Sequence, residues 1–256
     1  MGGRYPFDAY YLITYLDFKR FKENDYCITL KKYKDTKMYL PLVKNQRHAD
    51  ILQRSIFMTE DFHERDDLFT VLDKGVLKCR QTVLDIGANI GNHTVFFAKI
   101  AKAKRIYAFE PINDTYRQLV RNVEINNLSD IVETYNYAVG EDNDKAEIES
   151  YTEINIGATH LKTSEEGDIE VKSIDGLNLS EHIDFVKIDV EGFEIGVIKG
   201  MREILHRDSP ALWIEIFDDN KAEMMRLLKT CGYHEAKAIS PANYIFIKDE
   251  KEIGKE

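Results

Sequence analysis

From about residue 82 onward, short β-branched runs alternate with segments whose apolar residues recur at helical spacing, the pattern of a parallel sheet with crossover helices. Strands are predicted at 82–86, 105–110, 131–139, 184–189, 211–217, 233–238 and 244–248. Helices are predicted at 92–101, 114–126, 193–206 and 220–231. The chain before residue 82 reads differently. Over 7–21, Tyr11, Leu12, Ile13, Leu16 and Phe18 follow a helix-like period, which predicts one amphipathic helix. The stretches 27–30 and 38–42, joined by the polar KKYKDTK, read as a hairpin with Pro41 near its outer edge and its lysines in water. Between 140 and 179 the chain turns polar, with Gly157, Gly167 and Gly176, and reads as an inserted hairpin and loop, a place from which substrate sites are commonly shaped. The expected organisation is an N-terminal extension over 1–75, a helix plus hairpin making substrate or oligomer contacts, and an α/β domain over 76–250 with its insertion at about 140–180.

With 256 residues and 43% hydrophobic content, the chain can bury a sizeable core. Its formal charge of -10 is unevenly spread: residues 1–80 carry +3 and residues 81–256 carry -13. The acidic excess repels a phosphate backbone and weighs against nucleic acid as a partner. An acidic or phosphorylated acceptor should approach from the side of the extension. Cys27, Cys79 and Cys231 lie far apart and in no C-x-x-C spacing, so neither a disulfide framework nor a zinc site is indicated. No apolar run approaches the roughly 18 residues of a membrane span, and MGGRYPFDAY has the form of neither a leader nor a myristoylation signal. The expectation is a cytoplasmic protein without membrane insertion, with homo-oligomer formation through the extension left open.

The most informative segment is VLDIGANIGNHTVFFAKIA, residues 83–101. An apolar strand runs into Asp85; Gly87, Asn89 and Gly91 then punctuate a tight turn, and an apolar helix comes next. Glycines let backbone approach a ligand closely, and the helix start offers free N–H groups and partial positive charge. A dinucleotide fingerprint wants G-x-G-x-x-G, whereas this loop reads D-x-G-x-N-x-G. Asp85 is costly beside a pyrophosphate and makes sense beside a cationic amino group, such as that in the methionine half of S-adenosylmethionine. Glu110, 19 positions after Gly91, ends the next strand, where a carboxylate can accept both ribose hydroxyl protons.

VLDIGANIGNHTVFFA, YAFEP, LVRNVEINN and DFVKIDVEGFEIGVIKGM followed by ALWIEIF together resemble the FkbM family of S-adenosylmethionine-dependent methyltransferases, over about residues 60–248. The resemblance implies a Rossmann-like class I methyltransferase fold: a seven-stranded, mostly parallel sheet with an antiparallel last strand and helices on both faces. It also implies small-molecule chemistry in the cytosol, commonly O-methylation of a sugar or polyketide hydroxyl. The expected cofactor contacts are Asp85, Gly87, Ala88, Asn89, Gly91, Asn92, His93, Thr94, Glu110, Pro111 and Asp189.

In open α/β sheets ligands lie beyond the carboxyl ends of the strands, where Asp189 and Glu191 close one strand and Glu215 and Asp218 its neighbour. Methyl transfer to an alcohol requires alignment for in-line displacement and removal of the hydroxyl proton. Asp189 or Glu191 could be the base, His160 could reach over from the insertion, or the acids could hold a divalent metal that acidifies the hydroxyl. The catalytic candidates are thus Asp189, Glu191, His160 and Glu215. No ligand set with a firm spacing is visible, and metal independence is the expectation. Glu194 reads as a first-turn acid favoured by the helix dipole, and Trp213 as core. Asp189-Val190-Glu191-Gly192 lacks the Pro-Pro-aromatic run that enzymes methylating an exocyclic base nitrogen carry after their Asn or Asp. The leading expectation is methylation of a hydroxyl on a sugar or glycan precursor. Methylation of an RNA or protein nitrogen, or a non-catalytic cofactor-binding scaffold, stand as alternatives.

Overall fold

The computed structural model describes residues 19, 21–22, 24–41, 50–150 and 159–248. The helix expected over 7–21 lies largely outside them. The extension contributes the hairpin β1 (Cys27–Thr29) and β2 (Lys37–Tyr39), then helices α1 (Ile51–Thr59) and α2 (Arg65–Asp73). Those two helices are additions to the sequence reading. Helix α1 opens on an N-cap, the Asp50 side chain accepting from Gln53 N at 3.0 Å.

The main sheet is built from β3 (Thr82–Ile86), β4 (Arg105–Phe109), β5 (Val132–Tyr135), β10 (Phe185–Ile188), β11 (Ala211–Glu215), β12 (Tyr233–Ala238) and β13 (Asn243–Lys248), in the spatial order β12-β13-β11-β10-β3-β4-β5. The run from β11 to β5 is parallel and β13 lies antiparallel to β11, so the last strand in the chain reverses direction. Side-chain alternation divides the core in two. Val83, Ile106, Phe185 and Trp213 face α3 (Asn92–Lys99) and α4 (Asn113–Ile125), while Leu84, Ile86, Val186, Ile188 and Leu212 face α5 (Glu194–Lys199), α6 (Arg202–Arg207) and α7 (Asp218–Thr230). Leu30, Met38, Ile56 and Leu68 from the extension belong to the first of these cores.

Three predicted elements are corrected. The strand expected over 131–139 ends at Tyr135, because Asn136 turns away and its amide donates to the Glu110 and Pro111 carbonyls at 2.9 and 3.0 Å. The next strand, β6 (Ala138–Val139), enters a second sheet with β7 (Asp144–Ser150), β8 (His160–Thr163) and β9 (Ile169–Lys172), ordered β6-β9-β7-β8, so the insertion is a small sheet rather than one hairpin and a loop. The helix expected over 193–206 breaks at Gly200. A Cβ there would stand 1.9 Å from the Gly140 carbonyl oxygen, so the insertion's backbone occupies the space a side chain would need.

The extension is also tied on by two asparagines one turn apart on α4. Asn126 Oδ1 and Asn122 Oδ1 accept from Lys37 N and Tyr39 N at 2.9 and 2.6 Å, continuing the β2 edge onto a helix. Ile56 is fully buried in the shared core. Ile56→Ala should therefore cost about 2–5 kcal/mol, and denaturant unfolding followed by circular dichroism should remain a single transition.

Candidate active site

One cavity opens at the carboxyl ends of β3, β4, β10 and β11. Its floor is the glycine loop. Gly87 must be glycine: with φ 79°, a Cβ would stand 1.7 Å from the Asp189 carbonyl oxygen, so the β3 and β10 ends meet backbone to backbone. Asn89 is left-handed at φ 50° and accepts from Ile90 N at 2.7 Å, so an asparagine serves where other loops need glycine. Gly91, φ 86°, precedes α3 without a side-chain cap.

Of the expected cofactor contacts, Gly87, Ala88, Asn89, Asn92, His93, Glu110, Pro111 and Asp189 line this cavity. Asp85, Gly91 and Thr94 do not. Asp85 is fully buried beneath the loop, where Oδ2 accepts from Thr94 Oγ1 at 2.5 Å and Oδ1 has no hydrogen-bond partner among the described residues. The cation facing it is Lys187, its neighbour in register across the β3–β10 pair. Lys187 is 2% exposed, donates to Asp189 Oδ2 at 2.8 Å and lies 3.4 Å from the Gly87 carbonyl oxygen. Burial alone would push its ammonium down, but the Asp189 and Asp85 carboxylates outweigh that and hold it above the ordinary lysine range.

Glu110 is 6% exposed. Its Oε1 accepts from Ile112 N at 2.8 Å and its Oε2 from Asn89 N at 3.0 Å, which leaves each oxygen a second lone pair. Burial pushes its carboxyl up to about 7 against those two amides. Tyr137 adds a buried hydroxyl without a hydrogen-bond partner among the described residues, on a wall shared with Phe109 and Val139. The residues present therefore fit a nucleoside: an apolar aromatic wall with an unmatched hydroxyl for the base, and a carboxylate with spare acceptor capacity for a ribose diol.

The predicted catalytic acids do converge. Asp189, Glu191 and Glu215 each offer an oxygen within 4.8 Å of the others, a spacing that could also hold a cation. Their surroundings shift the three carboxyls in different directions. Lys187 keeps Asp189 below the usual carboxylate range despite its burial, whereas burial and the hydrogen-bonded Asp189 push Glu215 up to about 9. Burial, then Asp189 and Glu194, push Glu191 up to about 7, and its backbone is left-handed at φ 48°. His160 is not on the cavity wall: Thr159 and Leu161 line it, and His160 instead packs against the Gly192 turn. Glu194 is buried and accepts from Gly192 N at 2.8 Å, closing that turn. Trp213 is core, its indole donating to Asn243 Oδ1 at 2.6 Å.

The sequence reading missed His63 and Glu64. Both line the cavity, and Glu64 Oε2 lies 3.3 Å from His93 Nε2. Nothing periodic marks them, because they sit in a turn between two unpredicted helices. Lys187→Met would leave Asp85 and Asp189 buried without their cation, an expected cost of about 3–5 kcal/mol, measurable by denaturant titration.

The model of the Methyltransferase FkbM domain family matches residues 85–235, more than half of the chain. The chain is 33% identical over 126 residues to the hexuronic acid methyltransferase AglP of Haloferax volcanii, an alignment covering 47% of this chain and 50% of that protein. It thus spans about half the length of that curated relative. The crystal structure of methyltransferase FkbM from Methylobacillus flagellatus KT superposes with a TM-score of 0.52 at 19% identity, covering 76% of this chain and 52% of that one. That likeness speaks for the fold, and the sheet order described above has the single reversed last strand of a Rossmann-like class I methyltransferase. The chain belongs to the FkbM methyltransferase family.

Proposed function

We propose that this protein is an S-adenosylmethionine-dependent O-methyltransferase acting on a hydroxyl of a sugar or glycan precursor. The observation that carries the reading is the placement, in one cavity, of the glycine loop and Glu110 beside the Asp189, Glu191 and Glu215 cluster. That the Haloferax volcanii relative is a hexuronic acid methyltransferase supports a sugar as acceptor.

Glu110 would hold the ribose hydroxyls, the wall of Phe109, Tyr137 and Val139 the adenine, and the loop from Gly87 to Asn89 the methionine portion. When bound, S-adenosylmethionine supplies a methyl group activated by the sulfonium. The protein's own task is to orient the acceptor hydroxyl and take its proton. Asp189, kept ionised by Lys187, sets a fixed negative charge at the strand end. Glu191, titrating near neutrality, is the general base: its pKa is high enough to accept a proton and low enough to be ionised at working pH. Glu215, protonated over the same range, can donate a hydrogen bond.

Calorimetry with S-adenosylhomocysteine should show binding to the wild-type protein and its loss in Glu110→Ala. Binding of a nicotinamide or flavin cofactor in its place would overturn the reading. Initial rates should climb with pH up to about 7 as Glu191 ionises, and Glu191→Gln should lower kcat about 10²–10⁴-fold and remove that limb. EDTA in the same assay should leave the rate unchanged; abolition would make the three carboxylates a metal site instead.

A further inference from the structure

The methyl-transfer reading uses the glycine loop and the strand ends, yet two polar side chains on the same cavity wall come from the extension. His63 and Glu64 end the turn between α1 and α2. Glu64 occupies the N-cap position of α2, where a short polar side chain ordinarily accepts from a first-turn amide, but it makes no capping bond. Its backbone is left-handed, φ 53°, although it is neither glycine nor asparagine. Its carboxylate faces the cavity instead. Oε2 lies 3.3 Å from His93 Nε2, which itself makes no hydrogen bond among the described residues. The carboxylate is thus half-buried, not used to cap the helix, and available to a ligand in the cavity.

His63 is held by its backbone. Its N–H donates to Asn92 Oδ1 at 3.0 Å and its carbonyl accepts from Asn92 Nδ2 at 3.1 Å. The imidazole has no hydrogen-bond partner among the described residues, and burial holds it below the ordinary histidine range, so at neutral pH it offers one donor and one acceptor. Both residues lie within electrostatic reach of Asp189. A carboxylate next to a neutral imidazole suits hydroxyl groups, which donate and accept. It does not suit an anion, which Glu64 would repel, nor a wholly apolar or aromatic edge, which would leave the carboxylate unpaired.

We propose that His63 and Glu64 form the acceptor-recognition element, binding a hydroxyl adjacent to the one that is methylated and so selecting a vicinal diol of a sugar ring, with any acidic group of the acceptor held away from this wall. The assignment rests on the methyl-transfer reading. Because Asn92 opens α3 directly after the glycine loop, the same two hydrogen bonds tie the recognition turn to the cofactor loop.

The test uses the full chain loaded with S-adenosylhomocysteine and titrated with the 4-nitrophenyl glycosides of glucose, galactose, mannose and glucuronic acid, followed by saturation-transfer NMR. At least one glycoside should bind the loaded wild type. Glu64→Gln and His63→Ala should each weaken it by about tenfold or more, the loss of a buried or charge-assisted hydrogen bond, while S-adenosylhomocysteine affinity stays unchanged. Glu60→Gln, exposed on the same turn, should alter neither. Binding of no glycoside, equal binding by both variants, or parallel loss of S-adenosylhomocysteine affinity would overturn the assignment; the last outcome would make the turn a cover for the cofactor. Failure of the wild type to bind S-adenosylhomocysteine would instead bring down the methyl-transfer reading.

Discussion

The buried ammonium of Lys187 is the interaction on which the site depends. It stands between Asp85, its register neighbour on β3, and Asp189, two residues further along its own chain, and it also approaches the Gly87 carbonyl. One cation thus joins the strand that enters the glycine loop to the strand that carries the catalytic candidates. Without it, two carboxylates would be buried in one core beneath a backbone crossing so tight that Gly87 can bear no side chain. The same charge touches the loop backbone and holds Asp189 below the usual carboxylate range.

That charge also explains how a chain of formal charge -10 can concentrate acids at one point. Asp189 takes the negative charge because Lys187 stabilises it, and Glu215 and Glu191 are then pushed toward their protonated forms. Three carboxylates within a few ångströms become one fixed anion, one hydrogen-bond donor and one group that titrates near neutral pH. Burial first, and then the charge that Lys187 holds on Asp189, shift Glu191 and Glu215 upward, so side chains that are nearly alike differ through their surroundings.

Much of this architecture was legible in the sequence. β3 was placed to the residue, and the loop, Glu110 and the acids at the β10 and β11 ends were found, because strand alternation, glycine spacing and strand-end position are local signals. The misreadings came from nonlocal contacts. Nothing near Gly200 announces that the Gly140 carbonyl fills its side-chain space, and nothing near Asn136 announces that its amide will bind the Glu110 and Pro111 carbonyls and turn the chain. Asp85 is the instructive case. It lies beneath the loop rather than on the cavity wall, and the cation alongside it is Lys187, more than a hundred positions away in sequence and brought there only by the strand pairing. His160 was singled out as a lone histidine in a polar stretch, while His63 had no periodic neighbour to draw notice.

The extension is better regarded as part of the catalytic unit than as an appendage. Asn122 links three parts at once: its Oδ1 accepts from Tyr39 N in the hairpin, and its Nδ2 donates to the Ile90 carbonyl inside the glycine loop at 2.8 Å. Gln53 on α1 reaches α4 from the other side, donating to Gln118 Oε1 at 2.8 Å, and Asn92 clasps the His63 backbone. These are buried amide hydrogen bonds, which lose more by being left unpaired than they gain by forming, so the extension cannot detach without exposing unmet donors and acceptors on the loop and on α4. The left-handed Glu64 can persist only because the surrounding contacts over-determine its backbone, and those contacts reach to the loop itself. The same contacts thus hold the glycine loop and the turn that carries His63 and Glu64.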